Sequence, residues 1–327
     1  MDAVISLPPV SDAFLSSAPP HVTLRRITRD NAHLLNAHLS HSHSRDPYQH
    51  SPAYFLMTGR HGLWQARYKD STLLVALHPN VVGRFLIFPP IGADGDTLLA
   101  AMARHGADLG AAVQLARCDT PPPAGFTAVK EDVLDWRYPV HVLDTAKVVS
   151  HRGRGFQHFR TNLNRLKGQN IAAHDLDPRT DRETIAQVLH HWAAPDQHEV
   201  YDRLLDLFGH VSLAGRIITH NGQPVGFSIW EHTAPDLANA YAHIGLYDPR
   251  GTSQWVYWDM CRTLEAKGMT RVCIGGSETK GLDQFKRKLC PIESIPLSSY
   301  TTTPKSPAQN QNTKPKIGVR HTLFARK

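Results

Sequence analysis

The stretch that decides the fold covers residues 213–268: LAGRIITHNGQPVGFSIWEHTAPDLANAYAHIGLYDPRGTSQWVYWDMCRTLEAKG. Asn221-Gly222, between two apolar runs, predicts a β-hairpin. A third apolar run ends at the turn Pro249-Arg250-Gly251, and a helix is predicted from there to Gly268, because glycine commonly ends helices. Hairpin, strand, turn and helix in this order are typical of an α/β domain with a mixed sheet.

The same order of elements occurs earlier in the chain. A strand (VTLRRI) and a helix (DNAHLLNAHLSH) precede a hairpin that turns at Lys69-Asp70, and a further strand, helix and strand follow it. The sequence therefore predicts an α/β fold of two tandem lobes, each a mixed β-sheet flanked by helices. The predicted domains are a flexible arm at 1–20, lobes at 21–140 and 141–300, and a basic low-complexity tail at 301–327.

Composition limits the class of protein. Of the 327 residues, 41% are hydrophobic and 20% charged, which excludes wholesale disorder and a fibrous protein. No apolar run approaches the ~20 residues of a membrane helix, and no signal peptide is evident, so a soluble, cytoplasmic protein without membrane insertion is expected. The scattered cysteines predict reduced core residues. The net charge of +7 favours an anionic partner: nucleic acid, a phosphorylated cofactor or a membrane surface.

A basic segment is the first candidate for binding. Residues 147–167 hold six Lys or Arg and no acid. Apolar residues recur there at helical spacing, so one face of the helix packs and Arg160, Arg165 and Lys167 remain available for phosphates. A merely solvated basic face is the alternative.

Two further segments are candidates for a site. The Arg250-Gly251 turn opens a helix whose N-terminus favours a phosphate. Glu278 follows Gly275-Gly276 at a strand end, among cations that include Lys286 and Lys288. It is a candidate proton acceptor, and a surface salt bridge is the alternative. The histidines at 33, 38, 41, 43 and 50 lack a carboxylate or cysteine pattern, so they are interpreted as surface residues, and no metal site is predicted.

The second half resembles the GNAT acyltransferases, through its hairpin, the strand AYAHIGLYDP, the Arg250-Gly251 turn and the following helix. More specifically, residues 131–169 and 275–289 resemble the catalytic region of phosphatidylglycerol lysyltransferases and the related Fem peptidyltransferases. The residues that match are Tyr138, Arg160, Asn162, Asn164, Gly276, Glu278, Gly281, Leu282, Phe285 and Lys286. The resemblance implies two GNAT-like lobes and adds Asn162 to the donor-binding set.

One departure bears on the donor. Acetyl-CoA enzymes carry small residues after the turn, whereas this chain has Gln254 and Trp255. The departure favours aminoacyl-tRNA as donor, with no further cofactor. The expected function is a soluble acyl- or aminoacyltransferase that acts on an amine or hydroxyl of a small-molecule or peptide acceptor, with tRNA as partner. An acyl-CoA-dependent N-acyltransferase is the alternative, and a non-enzymatic nucleic-acid-binding protein on a GNAT scaffold is the second alternative.

The expected roles follow from this reaction. Glu278 is predicted to lie in a cleft, as base or orienting group for the acceptor nucleophile. Lys286 and Lys288 are predicted to hold the ester carbonyl or a terminal phosphate, and His243 on a neighbouring strand is the alternative base. Arg160, Asn162, Arg165, Lys167, Arg250 and Gly251 are the other predicted donor-binding residues.

Overall fold

The computed structural model describes residues 14–78, 81, 83–121, 123–129, 137–192 and 198–302. The chain forms two compact units. Among the described residues, the first unit comprises 14–45, 54–129 and 298–302, and the second comprises 46–53 and 137–297.

The first unit is built on a mixed seven-stranded sheet of order β1-β2-β3-β4-β5-β14-β6. Its β4 and β5 are parallel, and the other neighbours are antiparallel. The strands are β1 (Thr23–Ile27), β2 (Leu63–Tyr68), β3 (Ser71–Leu77), β4 (Arg84–Ile87), β5 (Ala112–Cys118), β6 (Phe126–Ala128) and β14 (Ser298–Thr302). The helices are 3₁₀ Arg29–Asn31, α1 (His33–Leu39), α2 (Pro52–Thr58), whose first two residues belong to the second unit, and α3 (Gly95–Asp108).

The core of the first unit lies between the sheet and α3. Leu98, Leu99 and Met102 recur at helical spacing in α3 and pack on the buried strands β3, β4 and β5. Phe14 is fully buried in this core, with its ring centroid 4.0 Å from that of Phe85. The predicted flexible arm is therefore wrong for the residues from 14 onward, because a buried aromatic ring fixes them.

The second unit contains another mixed seven-stranded sheet, of order β13-β7-β12-β11-β10-β9-β8. In it β11 and β12 are parallel, and the other neighbours are antiparallel. The strands are β7 (Val140–Asp144), β8 (Ile171–Asp175), β9 (Leu213–His220), β10 (Gln223–Ala234), β11 (Leu237–Gly245), β12 (Arg271–Cys273) and β13 (Glu293–Ile295), and the helices are 3₁₀ Pro47–His50, α4 (Thr145–Ser150), 3₁₀ Arg154–Phe156, α5 (Gln157–Leu166), α6 (Arg182–His191), α7 (His198–Leu205), α8 (Thr252–Ala266) and α9 (Lys280–Arg287).

Helix α8 is the central helix of the second core. Val256, Met260 and Leu264 are fully buried at helical spacing, and the helix packs on β10 and β11. Gly268 follows the helix with φ 82°, a left-handed conformation that glycine adopts at helix ends, as the sequence predicted.

The predicted α/β fold of two mixed sheets flanked by helices is confirmed, and so are the hairpin turns at Lys69-Asp70 and Asn221-Gly222. The two units differ from the predicted lobe boundaries in two segments. Residues 46–53 belong to the second unit, and β14 joins the first sheet, so the predicted tail begins inside a strand. The rest of that tail, residues 303–327, lies outside the described residues.

Several side chains test the composition-based expectations. Cys118, Cys261 and Cys273 are buried and carry reduced thiols, as predicted. His38 is buried, and its Nδ1 lies 2.8 Å from Thr72 Oγ1, so the interpretation as a surface histidine is wrong there. Burial lowers the pKa of His38 to about 4. Among the helices described, none joins sufficient length with sufficient hydropathy to span a bilayer.

Candidate active site

The loop after β12 carries the carboxylate that the sequence singled out. His141 N donates to Gly275 O at 3.2 Å, which ties the loop to β7. Tyr138 N donates to Ser277 O at 2.9 Å and extends this attachment by two residues. Gly275 has φ 71°, so the chain turns here in a conformation that favours glycine. Glu278 follows directly and is 8% exposed.

The Lys286 side chain holds the same loop from α9. It is 2% exposed, and its Nζ donates to Ile274 O at 2.6 Å and also to Gly276 O. Thr279 caps α9 directly after Glu278. Glu278 and Lys286 are thus fixed to one loop. The contacts of Lys286 also give it a positioning role that the sequence did not indicate.

Strands β11 and β12 pair over three residues and then separate. Their parallel ladder ends at Asn239 and Cys273, whereas β11 continues to Gly245. From residue 240 onward, one edge of β11 has no partner strand within the described residues. Alternate backbone N–H groups of a strand point to each edge, so β11 offers donors at this gap. The loop of Glu278 begins where β12 ends and borders the gap.

Three polar side chains, here named the α8 cluster, meet on the α8 side of the sheet: Ser228, His243 and Tyr257. Ser228 and His243 are paired across β10 and β11, so they share one face. The ring centroids of His243 and Tyr257 lie 4.7 Å apart. Ser228 Oγ, His243 Nδ1 and Tyr257 Oη are buried without a hydrogen-bond partner among the described residues. A buried polar group without a hydrogen-bond partner destabilises the folded protein by about 1–3 kcal/mol, so the cluster favours binding of a polar ligand or water.

Tyr201 lies on the opposite side of the sheet. Phe227 precedes Ser228 in β10 and therefore faces the other way. The Tyr201 ring of α7 packs on Phe227 with centroids 5.5 Å apart. Tyr201 is 2% exposed, and its hydroxyl has no partner in the described part of the chain. Burial raises the pKa of Tyr201, and the charge of the Glu278 carboxylate raises it further. Glu278 therefore lies within electrostatic range of the Tyr201 hydroxyl.

Burial sets the protonation states around the gap. It lowers the pKa of His243 well below its usual range, and the nearby Lys286 ammonium lowers it further. Burial also raises the pKa of the Tyr257 hydroxyl. At neutral pH the imidazole and the phenols of Tyr257 and Tyr201 are consequently uncharged. His243 is therefore free of a proton on one ring nitrogen, as a base must be.

The predicted phosphate-binding residues fall into two groups. Arg165, Lys167, Arg250 and Lys288 are exposed and form no ion pair with any described carboxylate. Arg165 also donates from Nη1 to Asn162 Oδ1 at 3.1 Å. Lys288 lies at the C-terminal end of α9.

Arg160 and Asn162 are engaged with their own chain. Arg160 Nη1 donates to His151 O at 2.6 Å and to Gly153 O at 2.7 Å, which fixes the loop before α5. Asn162 is 5% exposed, and its Nδ2 donates to His158 O at 3.2 Å. These contacts organise the basic helix, and direct donor contacts by the two side chains stay predictions.

Gly251 joins the basic helix to the start of α8. Its φ is 111°, and a Cβ there would lie 2.4 Å from Asn162 O. Only a residue without a side chain permits this approach. Arg250 and α5 therefore border one surface. Gly245 likewise lies against the first turn of α8, where a Cβ would be 2.7 Å from Ser253 N.

A buried carboxylate binds residues 46–53 to the second sheet. Glu231 Oε2 accepts from Ser51 Oγ at 2.5 Å and from Tyr241 Oη at 2.9 Å, and Oε1 accepts from Ala53 N at 3.1 Å. Tyr48 Oη donates to Ala240 O at 2.5 Å on the neighbouring strand. Burial raises the pKa of Glu231.

Sequence reasoning missed Ser228, Tyr257, Tyr201 and Glu231. Ser228 had a usable signal, because it is the one hydroxyl in the apolar run GFSIW. Tyr257 and Tyr201 had none, since tyrosines at helical spacing are usually core residues. No group of three or more potential metal ligands is found among the described residues.

Comparison with known proteins supports the resemblance. Residues 42–292 match the family "Phosphatidylglycerol lysyltransferase, C-terminal". The chain belongs to this family. The lysyltransferase family indicates an acyltransferase-like enzyme, which disfavours the non-enzymatic alternative. No match was found among curated protein sequences.

Solved structures share the fold of this lysyltransferase-family chain. L-PGS from Bacillus licheniformis aligns at TM-score 0.59 and 12% identity over 85% of this chain and 93% of its own. FemX aligns at TM-score 0.59 and 10% identity over 86% and 97%. A tandem GNAT protein from the clavulanic acid biosynthesis pathway aligns at TM-score 0.50 and 10% identity over 88% and 100%. At these identities the likeness concerns the fold, and it confirms the tandem GNAT-like architecture.

Proposed function

We propose that this transferase moves an aminoacyl group from aminoacyl-tRNA to an amine or hydroxyl of a small-molecule or peptide acceptor. The observation that carries the proposal is the gap between β11 and β12, bordered by the loop of Glu278. A reactive ester there can meet an acceptor next to a buried carboxylate and beside backbone donors.

The geometry supports a direct transfer. The acceptor nitrogen or oxygen attacks the ester carbonyl, forming the new bond to carbon while the carbonyl oxygen gains negative charge. In the proposed reaction, N–H groups on the edge of β11 beyond its ladder with β12 stabilise that oxyanion. Collapse breaks the bond to the ribose oxygen, which leaves with the proton that Glu278 has taken from the nucleophile. Glu278 takes the proton that the nucleophile gives up, and Lys286 holds its loop in place.

The surface beside α8 supports a polyanionic donor. Arg165, Lys167 and Arg250 are exposed cations near the contact between α5 and Gly251, and they suit a phosphate backbone. The close packing of Gly245 on the first turn of α8, together with Gln254 and Trp255, leaves little room for a pyrophosphate. This favours tRNA over CoA.

The experiment compares donors directly. The protein is incubated separately with pools of aminoacyl-tRNA and of acyl-CoA, each with a mixture of candidate amines, and mass spectrometry follows which donor is consumed. We expect consumption of aminoacyl-tRNA, and a loss of about 10²–10⁴ in rate for Glu278→Gln. Glu265→Gln, an exposed glutamate of α8, is the matched control and should keep full activity. Consumption of acyl-CoA alone would contradict the proposal.

A further inference from the structure

The α8 cluster has a composition that points to a particular ligand. Its three members offer two hydroxyls and one imidazole nitrogen, all buried and all without a partner among the described residues. Each is uncharged at neutral pH. The Tyr257 ring packs on Phe285 of α9 with centroids 5.7 Å apart, and the buried Lys286 directly follows Phe285. The Lys286 ammonium also acts electrostatically on His243. A ligand placed here gains hydrogen bonds and meets positive charge.

The position of the cluster relates it to the donor. Gly245 lies against Ser253 at the start of α8, and β11 and α8 leave this contact side by side. His243 is two residues from Gly245, and Tyr257 is four residues from Ser253, which explains why their rings meet. From Gly251 to Tyr257 the helix rises about 9 Å, at 1.5 Å per residue. One nucleotide can cover this distance, so phosphates near Arg250 would place the esterified acyl group at the cluster.

We infer that Ser228, His243 and Tyr257 form the subsite for the transferred acyl group, and that it selects an uncharged, hydrogen-bonding aminoacyl group over a lysyl group. This inference rests on the proposed function. A lysyl ammonium would approach Lys286 and be repelled. A hydroxyl or amide side chain would instead supply the partners that the three polar atoms lack.

The test uses stable donor analogues with the wild-type full chain. The probes are 3′-aminoacylamino-3′-deoxyadenosines, in which an amide replaces the ester, carrying seryl, alanyl, lysyl or norleucyl groups. Lysyl and norleucyl share their chain length and differ in the ammonium, whereas seryl and alanyl differ in the hydroxyl. The α-amino group is common to all four, so its contribution cancels in each comparison.

Isothermal calorimetry should show norleucyl binding at least tenfold more tightly than lysyl, and seryl about five- to tenfold more tightly than alanyl. In the Tyr257→Phe and Ser228→Ala variants, the ratio of the seryl affinity to the alanyl affinity should fall towards one. Both variants remove a hydroxyl that has no partner among the described residues, so thermal melting should show no loss of stability.

Three results overturn the inference. If the lysyl probe binds as tightly as the norleucyl probe, the site does not select against a charged side chain. If the seryl and alanyl probes bind equally tightly, the three polar atoms do not form a hydrogen-bonding subsite. A seryl-to-alanyl ratio that stays unchanged in both variants places the subsite elsewhere. If no probe binds the wild type, the aminoacyl-tRNA donor itself is contradicted, which separates failure of the proposed function from failure of the selectivity.

Discussion

Replacing Gly251 by alanine should separate α5 from the start of α8. The backbone at Gly251 has φ 111°, and a new Cβ would lie 2.4 Å from the Asn162 carbonyl oxygen. A positive φ costs a residue with a side chain about 1–2 kcal/mol. The contact is well inside any normal Cβ distance and involves backbone, so a helix must shift, which adds about 1–3 kcal/mol. We therefore expect Gly251→Ala to lower the free energy of unfolding by about 2–5 kcal/mol.

Gly268→Ala is the matched control. Gly268 also has a positive φ, 82°, but a Cβ there meets nothing within 4 Å. Gly268→Ala should lower the free energy of unfolding by about 1–2 kcal/mol, from backbone strain alone. Urea unfolding followed by circular dichroism measures both variants, and their difference isolates the steric contact. Equal destabilisation of the two variants would refute the close packing of α5 on Gly251.

Three further variants test other parts of the molecule. In the wild type the raised pKa of Glu231 means that the folded state binds the proton more tightly than the unfolded state, so stability should fall as pH rises from about 4.5 through that raised pKa. Glu231→Gln should flatten this part of a plot of melting temperature against pH. Parallel plots for the two proteins would contradict a raised pKa at Glu231. Arg165→Ala should reduce the slope of log K for tRNA binding against log salt by about 0.7–0.9, while Arg203→Ala, on α7, should leave the slope unchanged in filter-binding titrations. Lys286→Met leaves two buried carbonyls without their donor and should lower the free energy of unfolding by about 2–4 kcal/mol, a loss that chemical denaturation would reveal.

Local patterns were enough to predict most of the fold. Asn221-Gly222 and Lys69-Asp70 determine hairpins because few residues adopt the turn conformations required, and alternation of apolar residues marks the strands beside them. The short strands β6, β8, β13 and β14 were not predicted. Each depends on a partner distant in the chain, and three to five residues carry too little pattern of their own.

The candidate site was predicted in part for a similar reason. Glu278 stood out because it follows two glycines at a predicted strand end and is surrounded by cations in the sequence. The α8 cluster did not, because its chemistry arises from three residues on two strands and a helix that become neighbours only on folding. The internal contacts of Arg160 were equally hidden, since composition shows that a cation is present and not which carbonyl it binds.

The chain passes between its two units after residues 45 and 53, again between 129 and 137, and once more after 297. Two segments are thereby exchanged: residues 46–53, from the first half of the sequence, belong to the second unit, and residues 298–302, from the second half, belong to the first. A fragment cut at residue 141 would keep Glu231 but lose the Ser51 hydroxyl that binds it, and β14 would lack the sheet it completes. Removing the first half of the sequence would therefore take away partners of a buried carboxylate in the second unit, and removing the second half would take away the strand between β5 and β6 in the first unit.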